Sequence, residues 1–175
     1  MMRKFWLVLA VGVSLALGAF GADVPKAGDT APDFDLKTLD GAKEVKLADL
    51  KGKVVYLDFW ATWCGPCKHA LPHTQKLSER DETKGDKPNL VILGLAGYRD
   101  PTDQITKFMA DNKYTFTCLS DSGRAALKAY GVEVIPTFVV IGRDGKVAWS
   151  GVGSGDDTLN AIEPAIDAAL KQPAP

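Results

Sequence analysis

The segment from Val54 to Trp60 constrains the fold more than any other part of the chain. It is a continuous run of β-branched and aromatic residues with one charged member, Asp58. Such a run is typical of a strand that is covered on both faces. After Cys64 the apolar positions change to a helical period, and Pro66 can occupy the first turn of a helix. A central strand is therefore expected to give way to a helix at a pair of cysteines.

The rest of the chain alternates strand-like and helix-like patterns around this unit. Asp-Gly pairs at 40–41 and 144–145 predict two hairpin turns. A second buried strand is predicted over 90–96, and helical stripes follow Pro101, precede Gly131 and close the chain. This order predicts an α/β fold with a mixed central sheet flanked by helices and with an N-terminal β-hairpin extension.

The first 22 residues differ in composition from the rest of the chain. Arg3 and Lys4 precede a nearly uninterrupted apolar run from Phe5 to Ala22, which is the pattern of an export signal. Small residues suit cleavage after Gly21, but the run is also long enough for an uncleaved anchor. Residues 1–22 are therefore expected to be a signal peptide or an N-terminal membrane anchor, with the following domain on the outer side of the membrane.

Charge and cysteine content exclude several other classes of protein. The formal net charge is −1, and no Lys/Arg run follows residue 4, so no nucleic-acid partner is expected. Membrane contact is expected only through the N-terminal segment. Three cysteines are too few for a disulfide-stabilised scaffold. Two of them are separated only by a Gly-Pro pair, a spacing that indicates redox chemistry.

Cys64 and Cys67 form the predicted reactive centre. Two thiols at this spacing can form and break a disulfide without a change of fold. The free N–H groups and dipole of a helix N-terminus lower the pKa of a thiol there, so Cys64 is the expected nucleophile. Cys67 is expected to be shielded and to attack the mixed disulfide second. Asp58 is expected to have a raised pKa and to accept the proton of Cys67; a solvent-facing Asp at a strand end is the alternative.

The ten residues from Asp58 to Cys67 read Asp-Phe-Trp-Ala-Thr-Trp-Cys-Gly-Pro-Cys, which strongly resembles the active-site segment of thioredoxin-like proteins. The export signal, the opening Ala31-Pro32-Asp33-Phe34 and the early hairpin resemble the exported TlpA/ResA branch. The resemblance covers about residues 27 to 171. It implies a thioredoxin fold over 27–171 and a protein thiol–disulfide oxidoreductase.

The resemblance also implies a substrate-binding surface and partners. Ile135-Pro136-Thr137 resembles the cis-proline loop of the family, which faces the cysteines and pairs with substrate backbone. The implied substrate-binding residues are Trp63, Gly65, Pro66, Ile135, Pro136 and Thr137. The implied substrates are disulfide-containing exported proteins, reduced with electrons from a membrane thiol donor similar to DsbD or CcdA. No cofactor or metal is expected apart from the redox-active disulfide Cys64–Cys67.

Two departures from this branch bear on its substrates. Reductases of the cytochrome c maturation type usually carry an acidic residue in the central strand-loop region, where this chain has Leu95-Ala96-Gly97-Tyr98-Arg99. Ala70 stands where a Glu is common in the helix after the cysteines. The first departure argues against reduction of apocytochromes, and the second removes a charge that could select partners.

Three other functions would use the same segment. An oxidase or isomerase would share the chemistry and differ in reduction potential. A metallochaperone would bind copper through Cys64 and Cys67, but the usual three-residue gap between such cysteines is absent. A peroxiredoxin would need Thr or Ser where Ala61 stands.

The remaining cysteine and the two histidines are expected to be chemically silent. Cys118 lies in a short strand-like run and is expected to be an inert core thiol, with pairing to another chain as the alternative. His69 and His73 are spaced to share a helix face, but Pro72 disturbs that geometry. They are therefore expected to face solvent or a partner rather than a metal.

Overall fold

The sheet is built around strand β3 (Val54–Phe59), in which every residue is buried. It pairs in parallel with β4 (Leu90–Ala96) and antiparallel with β6 (Thr137–Ile141). The continuous apolar run of β3 follows from this central position, because both of its faces are covered. The predicted central strand is confirmed.

The computed structural model describes residues 23–86 and 88–174 of the chain. The predicted signal peptide or anchor at 1–22 lies outside these ranges. Within them, no helix combines the length and the apolar character needed to cross a membrane.

The described ranges hold seven strands and four α-helices. The remaining strands of the sheet are β1 (Asp35–Thr38), β2 (Glu44–Lys46), β5 (Thr117–Ser120) and β7 (Val147–Val152). The helices are α1 (Gly65–Ser78), α2 (Thr102–Asp111), α3 (Ala125–Ala129) and α4 (Asp156–Leu170). Short 3-10 turns cover Leu47–Leu50 and Asp81–Thr83.

The strand order is β2-β1-β5-β4-β3-β6-β7, with parallel pairing among β5, β4 and β3 and antiparallel pairing elsewhere. The sheet is therefore mixed, as predicted. The β1–β2 hairpin is the predicted N-terminal extension, and it joins the sheet through pairing of Lys37 with Ser120. Gly41 and Gly145 occupy the two predicted hairpin turns with positive φ angles.

Two apolar cores lie on opposite faces of the sheet. One face is covered by α1, α2 and α4, which contribute the fully buried side chains of Leu71, Ile105 and Ile162. The other face is covered by α3, through Ala126. Burial of this apolar surface on both faces supplies the main driving force for folding.

One edge of the sheet collects the loops that carry chemistry. Phe59 at the end of β3 lies beside Leu95 near the end of β4 and beside Thr137 at the start of β6. Ala96 in turn pairs with Ser120 at the end of β5. The segments that follow β3, β4 and β5 and the one that precedes β6 therefore meet at a single edge.

Candidate active site

Cys64 and Cys67 stand where β3 gives way to α1, and they form a disulfide with a Cα–Cα distance of 5.3 Å. Cys64 is the N-cap of α1, and Pro66 lies in its first turn, as predicted. Cys64 is 5% exposed and Cys67 1% exposed. The first cysteine is thus the more accessible one, and the second lies in the apolar core on the face of the sheet that α1 covers.

The sulfur of Cys64 takes the acceptor position of a helix cap. The backbone N–H of Cys67 donates to Cys64 Sγ over 3.1 Å. An N-cap side chain normally accepts such a bond with oxygen. A sulfur there faces the positive end of the helix, and this environment stabilises negative charge once the disulfide is opened.

Asp58 is a buried carboxyl on the α1 face of β3. Its Oδ2 accepts a hydrogen bond of 2.7 Å from the Thr74 hydroxyl, while Oδ1 has no hydrogen-bond partner within the described residues. Burial raises the pKa of Asp58 to about 7, and the bond from Thr74 only partly offsets this. The predicted raised pKa is confirmed, and the solvent-facing alternative is wrong. Thr74 and Cys67 lie on the same face of α1, two turns apart.

The loop before β6 faces Cys64. The Ile135–Pro136 peptide bond is cis, as predicted, and the Ile135 carbonyl oxygen lies 3.7 Å from Cys64 Sγ. Thr137 has no exposed surface, and its hydroxyl donates to the Val134 carbonyl over 2.6 Å. Thr137 therefore supports the loop from inside, and the exposed residues of the loop are Glu133 and Val134.

The segment just before Cys64 is held by a buried carboxylate that the sequence reasoning missed. Asp100 accepts from the Thr62 backbone N–H over 2.6 Å and from the Thr62 hydroxyl over 2.7 Å. Gln104 donates to the same hydroxyl over 2.8 Å. Asp100 is therefore the acidic residue of the loop after β4, one position after Arg99. Its only signal in the sequence is an Asp before Pro101, four residues after a buried strand.

Trp63 lies on the surface and directly precedes Cys64. The residue is 49% exposed, and its indole N–H donates to the Tyr98 carbonyl over 3.1 Å. Gly65 and Pro66 are exposed as well. These three residues and the Ile135 loop form the visible surface around the disulfide.

The remaining cysteine lies in the core, and the two histidines lie on α1. Cys118 is a buried free thiol, and burial raises its pKa. His69 is exposed and His73 half-buried. Within the described ranges, no group of three or more His, Cys, Asp or Glu side chains is placed to hold a metal ion.

A family model described as Redoxin matches residues 26–170. The chain belongs to the Redoxin family. Among relatives of this Redoxin family member, the thiol-disulfide oxidoreductase ResA of Bacillus thuringiensis (strain Al Hakam) is 38% identical over 147 residues, covering 82% of this chain and 80% of the relative. ResA of Bacillus subtilis (strain 168) is 32% identical over 164 residues, covering 90% and 88%.

The solved structures agree with this assignment. A putative thiol:disulfide interchange protein DsbE from Chlorobium tepidum shares 36% identity with a TM-score of 0.73, covering 83% of this Redoxin family member and 99% of the other chain. The predicted family resemblance and thioredoxin fold are confirmed. The predicted enzyme class, a thiol–disulfide oxidoreductase, is confirmed by the relatives together with the Cys64–Cys67 disulfide.

The pKa of Asp58 gives a test on the oxidised protein. Because the native carboxyl keeps its proton to about pH 7 while an unfolded Asp loses it near pH 4, native stability must fall as pH rises between these values. Relative to Asp58→Asn, we expect the free energy of unfolding of the wild type to fall by several kcal/mol from pH 4 to 7 and then level off.

The measurement is urea unfolding of both proteins at a series of pH values. Asp103→Asn, which removes an exposed carboxyl from α2, is the matched control. A difference between wild type and Asp58→Asn that stays constant or grows with pH would contradict the raised pKa.

Proposed function

We propose that this protein reduces disulfide bonds in exported proteins by dithiol–disulfide exchange at Cys64 and Cys67. The observation that carries the proposal is the disulfide seated at the start of α1, with the Cys67 N–H directed at Cys64 Sγ. A sulfur held in this way is prepared to be a thiolate, and the thiolate is the attacking species in exchange.

The reaction has two exchange steps. The Cys64 thiolate attacks one sulfur of the substrate disulfide, a mixed disulfide forms, and the other substrate sulfur leaves as a thiolate that takes up a proton. Cys67 then loses its proton and attacks Cys64 Sγ, which releases the second substrate thiol. The substrate gains two electrons and the protein is left with the Cys64–Cys67 disulfide.

Asp58 is suited to accept the proton that Cys67 loses. It is a buried carboxyl on the face of β3 that α1 covers, with a pKa near neutrality and one unbonded oxygen within the described structure. A base with a pKa near the working pH is the most effective proton acceptor. Thr74, the hydrogen-bond partner of Asp58, lies on the same face of α1 as Cys67, and the proton passes to the carboxyl directly or through water.

The residues between the cysteines favour a reducing protein. Neither Gly65 nor Pro66 adds a charged side chain beside the Cys64 sulfur, and among the described residues the one hydrogen bond to that sulfur comes from the Cys67 N–H. A strong oxidant such as DsbA depends on a stabilised reduced form. With one hydrogen bond to the Cys64 sulfur and no charged side chain between the cysteines, the thiolate is stabilised less than in a strong oxidant, so the disulfide form is favoured and the dithiol is an electron donor.

The proposed substrate surface consists of the exposed residues Trp63, Gly65 and Pro66 and the half-buried Ile135, while Pro136 and Thr137 are buried and hold the loop from inside. The Ile135 carbonyl beside Cys64 Sγ suits backbone pairing with an extended substrate segment. The proposed site of action is the periplasm, reached through residues 1–22 as a cleaved signal or a retained anchor. A membrane thiol donor of the DsbD or CcdA kind would restore the dithiol, and no further cofactor or metal takes part in the proposal.

Substitution of either cysteine separates the two exchange steps. We expect Cys67→Ser to stop after the first step and to accumulate a mixed disulfide between Cys64 and the substrate, because no second thiol can resolve it. Cys64→Ser is the matched control, and it should neither turn over nor form the adduct. Non-reducing electrophoresis with mass spectrometry of the periplasmic fraction checks this. Turnover in Cys64→Ser would contradict the assignment of the nucleophile.

The role of Asp58 is tested by the same separation of steps. We expect Asp58→Asn to slow release of the reduced substrate at least tenfold more than it slows formation of the mixed disulfide, since only resolution requires Cys67 to lose a proton. Stopped-flow fluorescence of the tryptophans, combined with acid quenching, gives the two rates. Equal slowing of both steps would contradict the proton-acceptor role.

A further inference from the structure

Two arginines converge on one aromatic ring beside the active-site tryptophan. The guanidinium carbon of Arg124 lies 4.6 Å from the centroid of the Tyr98 ring, and that of Arg99 lies 5.3 Å from it. The same ring packs edge-on against Trp63, with 6.0 Å between ring centroids. We call Trp63, Tyr98, Arg99 and Arg124 the aromatic–arginine rim. Both positive charges contact the Tyr98 ring, and that ring in turn contacts Trp63, the residue that precedes Cys64.

The topology explains why residues so far apart in sequence meet here. Tyr98 and Arg99 follow β4, Arg124 follows β5, and Trp63 follows β3. These parallel strands end at the same edge of the sheet. The aromatic–arginine rim is thus a fixed product of the fold on one flank of the disulfide.

Neither rim arginine has an ion pair or a hydrogen-bond acceptor within the described residues, whereas the other two arginines there each have such partners. Arg80 bridges Glu82 and Asp167, and Arg143 donates to two backbone carbonyls.

The acids closest in sequence to the rim arginines face inward. Asp100 is occupied by Thr62, and Asp121 accepts from three backbone N–H groups at the start of α3. Arg99 and Arg124 are exposed and keep their N–H groups available.

Both rim arginines also have unfavourable backbone conformations. Arg99 has φ 52° and Arg124 has φ 61°, and in the described ranges Lys113 is the only other non-glycine residue with positive φ. Side chains with a Cβ are disfavoured there, and Gly or Asn would fit more easily. Two arginines at such positions around one ring indicate that their side chains serve a purpose beyond the turns.

We propose that the aromatic–arginine rim recognises an Asp or Glu side chain next to the target disulfide of a substrate protein. An arginine stacked on an aromatic ring keeps its planar N–H fork free, and that fork matches a carboxylate bidentately. A substrate sulfur at Cys64 would place its neighbouring residues over Trp63 and the two guanidinium groups. The inference rests on the proposed function and adds to it a class of preferred substrate.

The test compares three peptides that differ only beside an internal disulfide, where they carry two Asp, two Ser or two Lys residues. Second-order rates of reduction by the dithiol protein are measured at about 0.02 M and about 0.5 M salt. For the wild type we expect the acidic peptide to react about three to ten times faster than the Ser peptide at low salt, with most of this preference lost at high salt. Equal rates for the two peptides at low salt would overturn the proposal.

Variants then assign the preference to the rim. In Arg99→Asn/Arg124→Asn the acidic-to-Ser rate ratio should fall to about one, and the ratio cancels any general loss of activity. Asn tolerates positive φ, so the turns are kept. Lys113→Asn is the matched control, because it removes one positive charge from a left-handed position at the other end of α2 and should keep the wild-type ratio. An undiminished ratio in the double variant would overturn the proposal.

A second measurement separates this proposal from the proposed function. If the protein reduced none of the peptides, this result would contradict the proposed function but not the recognition of acidic side chains by the rim. Serine-for-cysteine versions of the peptides then test the rim by NMR, and the acidic one should shift the Nε–H signals of Arg99 and Arg124 while the Ser one should not. Absence of such shifts, or arginine-dependent binding to anionic lipid vesicles without a preference for the acidic peptide, would overturn the rim assignment.

Discussion

The contact between the Cys67 N–H and Cys64 Sγ is the interaction on which the rest of the site depends. It exists because β3 ends one short turn before α1 begins, so that the first cysteine becomes the helix cap and the second lies one turn inside. The same hydrogen bond that closes the helix end stabilises charge on the sulfur. A single hydrogen bond therefore both caps α1 and stabilises the Cys64 thiolate.

The surrounding structure keeps that cap in place. On one side Thr62 is held by the buried Asp100, and on the other the Ile135 carbonyl closes over Cys64. These supports come from the loops after β4 and before β6, the two strands that flank β3. A buried carboxylate with two short hydrogen bonds resists displacement, because each unmade bond would leave a buried polar group unpaired. A rigid site of this kind positions the sulfur before any substrate arrives.

Local patterns were sufficient to predict most of the fold and the reactive centre. β3, β4 and both hairpins follow from apolar runs and Asp-Gly turns, and the dithiol follows from the Gly-Pro spacing at a strand-to-helix change. The Asp100–Thr62 contact could not be predicted in this way, since it joins residues 38 apart in sequence. The burial of Thr137 and the approach of Arg124 to Tyr98 likewise depend on strand register, which a single sequence does not specify.

The central claim is that Cys64 and Cys67 act as an electron-donating pair, and their reduction potential tests it most directly. Purified protein is equilibrated in graded thiol–disulfide buffers, and its free thiols are alkylated and counted by mass spectrometry. Cys118→Ala removes the buried third thiol from the count. For an electron-donating pair we expect a potential well below the value of about −180 mV that is typical of protein disulfide isomerase. A potential near −120 mV, as in DsbA, would identify an oxidant and show that the pair does not act as an electron donor.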